Sequence, residues 1–153
     1  AKLGFVTALV AGFAAPIVGL AGLGPIPLLD NAAVQMLGLI LAAVGIAATT
    51  AAQVWMGASW RIGVDPDERT GLVTHGLFAL VRNPIFTAML VTALGLTLMV
   101  GNVISLTGLG ALFAALEVQV RLVEEPYLRT VHGPDYERYS ATAGRFLPGL
   151  GRS

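Results

Sequence analysis

Leu72–Phe86, LVTHGLFALVRNPIF, lies between long uncharged apolar stretches and places a cation, an amide and a proline in three consecutive positions, Arg82-Asn83-Pro84. Proline at the first position of a helix forfeits no useful hydrogen bond, and asparagine before it is a favoured N-cap. The triplet therefore reads as a helix start, with Pro84 to about Val100 as a membrane span and Val73–Val81 as a short interfacial helix. The first turn after Asn83 presents free amides and the positive end of the helix dipole, which suit a carboxylate or a phosphate. Taken alone, an Asn-Pro helix start is more often structural than functional.

The rest of the chain says what kind of protein carries this interruption. Of 153 residues, 56% are apolar and only 12% charged, against roughly 25% charged in an ordinary soluble domain. No Asp, Glu, Lys or Arg falls between Lys2 and Asp30, between Asp30 and Arg61, or between Arg82 and Glu117. Each gap exceeds the roughly 20 residues that cross a bilayer. The fold class read from this is all-α: a polytopic membrane helical bundle with about four transmembrane helices plus short interfacial helices. Formal net charge is zero and cysteine is absent. The first argues against nucleic acid as a partner; the second excludes disulfides, thiol nucleophiles and zinc–thiolate sites.

In order, the first span runs from Leu3 to about Leu23, with Pro16 inside it and the Gly24-Pro25-Ile26-Pro27 turn closing it. Asp30 or Asn31 caps the second, about Ala32 to Met56, whose Ala43, Ala47 and Ala51 share one face. A polar connection follows through Arg61, Asp65 and Arg69. Gly101-Asn102 should reverse the chain, because one helix from Asn83 to Leu116 would be about 50 Å long. The fourth helix then starts near Val103 and continues to about Val131, and Asp135–Ala143 forms a short amphipathic segment. The chain is read as a single membrane domain, an N-terminal hairpin (1–59) followed by a core (60–148). Three of the eight arginines lie between spans two and three and five lie from Arg121 onward. By the positive-inside rule both termini and both polar clusters face the cytoplasm, in a bacterial-type inner membrane.

The second polar cluster runs from Arg121 to Arg145. Glu117, Arg121 and Glu124 are spaced by four and three, which puts them on one face of a regular helix, and Arg121 also reaches Glu125. Ionisable groups near a membrane usually face a polar cavity and mark function; an interfacial ion-pair ladder is the plainer alternative. His75 and His132 are too isolated for a metal site, so no metal is expected. Without a preceding strand or a G-x-G-x-x-G pattern, a Rossmann nucleotide site is excluded.

These two blocks together resemble the isoprenylcysteine carboxyl methyltransferase family and its phospholipid methyltransferase relatives. Leu72-Val73-Thr74-His75-Gly76-Leu77-Phe78 with Arg82-Asn83-Pro84-Ile85-Phe86 is similar to the family's LVTxGxY…RHPxY stretch. Glu124-Glu125, Leu128, Gly133, Tyr136, Tyr139 and Phe146-Leu147-Pro148 are similar to its EExxL…GxxYxxY…P. The match covers roughly Trp60 to Pro148. Asn83 stands where the family has histidine, and Phe78 and Phe86 where it has tyrosine.

The resemblance implies a methyltransferase that takes S-adenosyl-L-methionine without a Rossmann domain and acts on a lipophilic or lipidated acceptor entering from the bilayer. By position, Thr70, Gly71, Leu72 and Val73 line the cofactor, with His75 and Phe78 beside them. Arg82, Asn83, Pro84, Ile85 and Phe86 form the second wall. Glu124, Glu125, Tyr136 and Tyr139 complete the cofactor set, and Arg121 and Glu124 are the catalytic candidates. The chemistry agrees. The cofactor's carboxylate suits the amides after Asn83, its ammonium suits Glu124 or Glu125, and Arg121 can grip an acceptor carboxylate through two bonds. Two other readings stay open: an NADPH-dependent membrane reductase of sterol-reductase-like architecture, and a non-catalytic protein that binds lipid or assembles with a partner. Neither the acceptor nor the oligomeric state follows from the sequence.

Overall fold

The computed structural model describes residues 2–56 and 71–153; Thr70 and the polar connection through Arg61, Asp65 and Arg69 lie outside the described residues. The helices are α1 (Lys2–Leu20), α2 (Ala32–Met56), α3 (Pro84–Val100), α4 (Val103–Gln119), α5 (Glu125–His132) and α6 (Pro134–Thr142). A 3-10 turn spans Gly76–Ala79, and a π-turn, Val120–Glu124, joins α4 to α5. Among the described residues the only β-type pairing is an isolated parallel bridge between Val81 and Gly144. Helices α1 and α2 and the continuous stretch Val103–His132 are long and apolar enough to cross a membrane, and α3 is a shorter apolar helix. At 17 residues, α3 sits at the lower end of the usual spanning length. Phe13, Ile17 and Ile40 are all more than half exposed. In an integral membrane protein such side chains face hydrocarbon, not water.

Three boundaries differ from the sequence reading. Helix α1 stops at Leu20, before the Gly-Pro turn expected to end it. Leu23 N donates to Val18 O and Gly22 N to Gly19 O, with Gly22 at φ +111°. This is a Schellman motif, which satisfies the last carbonyls and needs a residue tolerant of positive φ. The helix expected over Val73–Val81 is reduced to the 3-10 turn. Gly76 there has φ +62°, and a Cβ on it would lie 2.7 Å from Trp55 Cδ2. A left-handed residue pressed against an indole cannot continue an α-helix. Third, Glu117, Arg121 and Glu124 do not share one regular helical face, because Arg121 and Glu124 lie within the π-turn. The other boundaries agree: Asn31 caps α2 through Val34 N at 3.0 Å, and the reversal falls at Gly101-Asn102.

The chain divides into two compact units. The first comprises Ala1–Ile46 and Ala88–Val118. Within it α1 approaches α4 so closely that a Cβ on Gly108 would lie 2.9 Å from Ala11 Cβ. Helices α2 and α3 are as close, since a Cβ on Gly38 would fall 2.6 Å from Gly95 O. Small residues are what allow apolar helices to associate in lipid, where burial from water supplies no drive. Asn102, 1% exposed, is its main polar tie; its side chain caps α4 at Ser105 N and donates to Ala15 O at 2.8 Å.

The second unit comprises Ala47–Thr87 and Gln119–Ser153. Its small apolar core is Tyr136, Tyr139 and Ala143, with Leu72 and Leu128 packed on it. It contains both polar blocks.

Candidate functional site

The second unit is assembled around Arg82. Pro84 disfavours the α conformation for the residue before it, so the chain is extended where it reaches Asn83. That segment pairs with the region after α6. Arg82 N donates to Gly144 O at 2.7 Å, Gly144 N to Leu80 O at 3.2 Å and Asn83 N to Arg145 O at 3.2 Å. Asn83 Nδ2 donates to Arg145 O as well, and Thr87 Oγ1 to Phe146 O. The asparagine side chain expected to cap α3 thus holds the C-terminal segment instead.

The Arg82 side chain is 2% exposed. It donates to Ser140 O at 2.7 Å, Gly151 O at 2.8 Å and Glu125 Oε1 at 2.8 Å. Arg145 grips the same carboxylate with two bonds, Nε to Oε1 at 2.7 Å and Nη2 to Oε2 at 3.0 Å. A carboxylate shared by two guanidiniums in this way is already neutralised, and burial is tolerable only because the charges are paired and hydrogen-bonded. Arg82 Nε is buried and has no hydrogen-bond partner among the described residues. Arg82 and Glu125, both expected to line a cofactor, are placed as the clamp that joins the two blocks.

Tyr136 and Tyr139 are also scaffold. Both are buried, their rings meet edge to face at 6.3 Å, and Tyr139 Oη donates to Phe78 O at 2.7 Å. Burial pushes both hydroxyls above their ordinary range, and for Tyr139 the neighbouring Tyr136 adds to the effect. Tyr139 therefore stays a donor. Phe78 and Pro84 are buried, Leu72, Val73, Asn83, Ile85 and Phe86 are half-buried, and Gly71, His75 and Arg121 are exposed.

Glu124 is different from its neighbour. Adjacent residues of a helix point in different directions, so when Glu125 turns into the clamp Glu124 cannot. It is half-buried, and the ion pairs of the clamp run to Glu125. The cause of this register is Pro126, the first proline after the paired glutamates. Its ring clashes with the carbonyl four residues back, Leu122, and it has no N–H to give. The helix answers by widening over Val120–Glu124, where Glu125 N donates to Val120 O. The role of Arg145 in the clamp had no local signal in the sequence.

What the arrangement offers chemically is one carboxylate outside the clamp, half-buried and suited to an ammonium, together with the first turn of α3, suited to a carboxylate. That donor set fits the amino-acid end of S-adenosylmethionine.

Comparison with known proteins gives the family and the fold. The model of the phospholipid methyltransferase family matches residues 33–135. Protein-S-isoprenylcysteine O-methyltransferase A of Arabidopsis thaliana is 29% identical over 117 residues, which are 75% of this chain and 59% of that protein. A probable protein-S-isoprenylcysteine O-methyltransferase of Oryza sativa subsp. indica is 27% identical over 117 residues, 75% of this chain and 61% of that protein. The chain thus spans about three-fifths of the length of these relatives. The solved eukaryotic intramembrane Ras methyltransferase ICMT shares the fold. Its TM-score is 0.75 at 20% identity, covering 98% of this chain and 52% of that one.

Proposed function

The chain belongs to the phospholipid methyltransferase family, and from that premise we propose that it is an S-adenosylmethionine-dependent methyltransferase acting on a lipophilic acceptor within the membrane. The observation that carries this reading is the division of labour between two adjacent carboxylates. Glu125 is locked in the buried clamp with Arg82 and Arg145, while Glu124 stays out of it. When bound, the cofactor supplies an electrophilic methyl group on a sulfonium, whose sulfur keeps the bonding electron pair as the acceptor takes the methyl.

In this reading Glu124 holds the cofactor's ammonium, and the first turn of α3 holds its carboxylate. The clamp fixes the segments on which both sit, and fixed geometry is the main contribution a protein can make to a methyl transfer. An acceptor carboxylate is already ionised and needs no base. Arg121, exposed within the π-turn, orients its oxygens. The relatives are named for methylating isoprenylcysteine, so a lipidated carboxylate is the first acceptor to test. The arginine distribution supports a cytoplasmic position for the site and for both termini.

The test is ligand stabilisation of the detergent-purified protein, since a ligand of the native state raises its melting temperature. S-adenosylhomocysteine is expected to raise it and NADPH is not. Glu124→Ala should abolish most of the shift, and Glu137→Ala, an exposed charge on α6, should leave it. A response to NADPH alone would overturn the methyltransferase reading in favour of a reductase, and a response to neither would point to a non-catalytic role.

A further inference from the structure

Arg145 is bonded to both elements assigned to the ligand, to one by its side chain and to the other by its backbone. The side chain grips Glu125, the neighbour of Glu124, with Nε to Oε1 at 2.7 Å and Nη2 to Oε2 at 3.0 Å. The backbone carbonyl accepts from Asn83 N at 3.2 Å and from Asn83 Nδ2 at 3.1 Å, directly before the first turn of α3. One residue further on, Phe146 O accepts from Thr87 Oγ1 at 2.8 Å. Arg145 N donates to Leu150 O at 2.7 Å, which folds the following segment back on it. Arg82 also reaches Glu125, but it is almost fully buried and bonds Ser140 O and Gly151 O as well, so its loss would disturb the whole unit. Arg145 is half-buried, and two parallel bonds fix both the place and the tilt of a carboxylate.

An amino-acid ligand makes a strict demand on such a frame. Its ammonium and carboxylate sit on the same carbon, so the groups that hold them must keep one separation, and errors on the order of 1 Å in positioning are costly. We propose that Arg145 is a positioning residue for the amino-acid end of the ligand, setting Glu124 and the first turn of α3 in register with each other. It touches neither charged group of the ligand; it acts through Glu125 on one side and Asn83 on the other. The inference rests on the reading of Glu124 and α3 given above.

The experiment compares S-adenosylhomocysteine with methylthioadenosine, an adenosine thioether without the amino-acid end, by calorimetric titration of the full chain in detergent. Arg145→Lys keeps the charge and gives up the two-pronged grip. It is expected to weaken S-adenosylhomocysteine roughly tenfold, the scale of one charged hydrogen bond, and to leave methylthioadenosine unchanged. Thr87→Val, which releases Phe146 O from α3, should discriminate in the same direction and more weakly. Equal losses for both ligands would reduce Arg145 to a general brace and overturn the proposal, as would unaltered S-adenosylhomocysteine affinity in Arg145→Lys. If methylthioadenosine binds too weakly to compare, Arg145→Lys in a Glu124→Gln background decides: the loss should shrink there, and an undiminished loss overturns the proposal. Normal S-adenosylhomocysteine binding by Glu124→Gln would instead overturn the reading beneath it, and the proposal with it. Should Arg145→Lys fold poorly, Thr87→Val is judged by the same criteria.

Discussion

In the first unit a Cβ on Gly38 would fall 2.6 Å from Gly95 O, whereas in the second the Arg82 guanidinium bonds a carboxylate at 2.8 Å and two backbone carbonyls. One region is held by backbones in contact and the other by buried charge. The difference follows from what each has available. Apolar helices in lipid gain nothing from leaving water, so only close packing draws them together. The segments of the second unit are short, polar and poor in apolar side chains; α5 has 8 residues and α6 has 9. Such pieces cannot build a large core, and a shared carboxylate with satisfied hydrogen bonds replaces it. A site that must hold a polar ligand is better built in the second way, because its walls are fixed by directional bonds.

The sharpest way to break the contrast is Glu125→Ala, which leaves Arg82 and Arg145 without their shared partner. Removing one member of a buried pair costs roughly 3–5 kcal/mol, so thermal unfolding in detergent should show a large loss and ligand binding should fall with it. A change within error would mean that the clamp does not hold this region. Gly95→Leu makes the complementary cut in the first unit. Its side chain would press on the α2 backbone at Gly38 and Ala42, and overpacking of this kind costs about 1–3 kcal/mol. A neutral result would show that the backbone contact is not needed.

Smaller effects sharpen the same comparison. Tyr139→Phe removes the bond to Phe78 O and should cost about 1 kcal/mol. Tyr139 also sets an alkaline limit. Its folded-state value is raised above the unfolded one of about 10, chiefly by burial. On raising the pH the unfolded chain therefore loses this proton first. The stabilisation is complete below about pH 10 and declines above it, and Tyr139→Phe should lessen that decline in a pH series of unfolding curves. The smallest change in stability belongs to Glu124→Gln, within about 0.5 kcal/mol, though it should weaken S-adenosylhomocysteine strongly. If Glu124→Gln destabilised the protein as much as Glu125→Ala, the two carboxylates would share one structural job.

Much of the fold was legible because its signals are local. The charge-free gaps located the apolar helices, Asn83-Pro84 marked the start of α3, and Gly101-Asn102 marked its end. The pairing of the two polar blocks was also foreseen, but the bonds that make it were not. Arg82, Glu125, Tyr136 and Tyr139, expected to line a ligand, are buried and bonded or packed within the second unit. A buried arginine and a ligand-binding arginine have the same sequence signature; only the direction of the side chain separates them.

The sequence by itself determined that this is an apolar helical chain with two polar blocks, since hydropathy and capping depend on residues close together along the chain. Tertiary structure decided what the opening stretch Leu72–Phe86 does. Gly76, pressed against Trp55, stops a helix there, and Pro84 leaves Asn83 extended so that it pairs with Arg145. It also decided which of two adjacent glutamates is structural. That choice depends on an arginine 43 residues away, which the local pattern of Glu124-Glu125 does not encode.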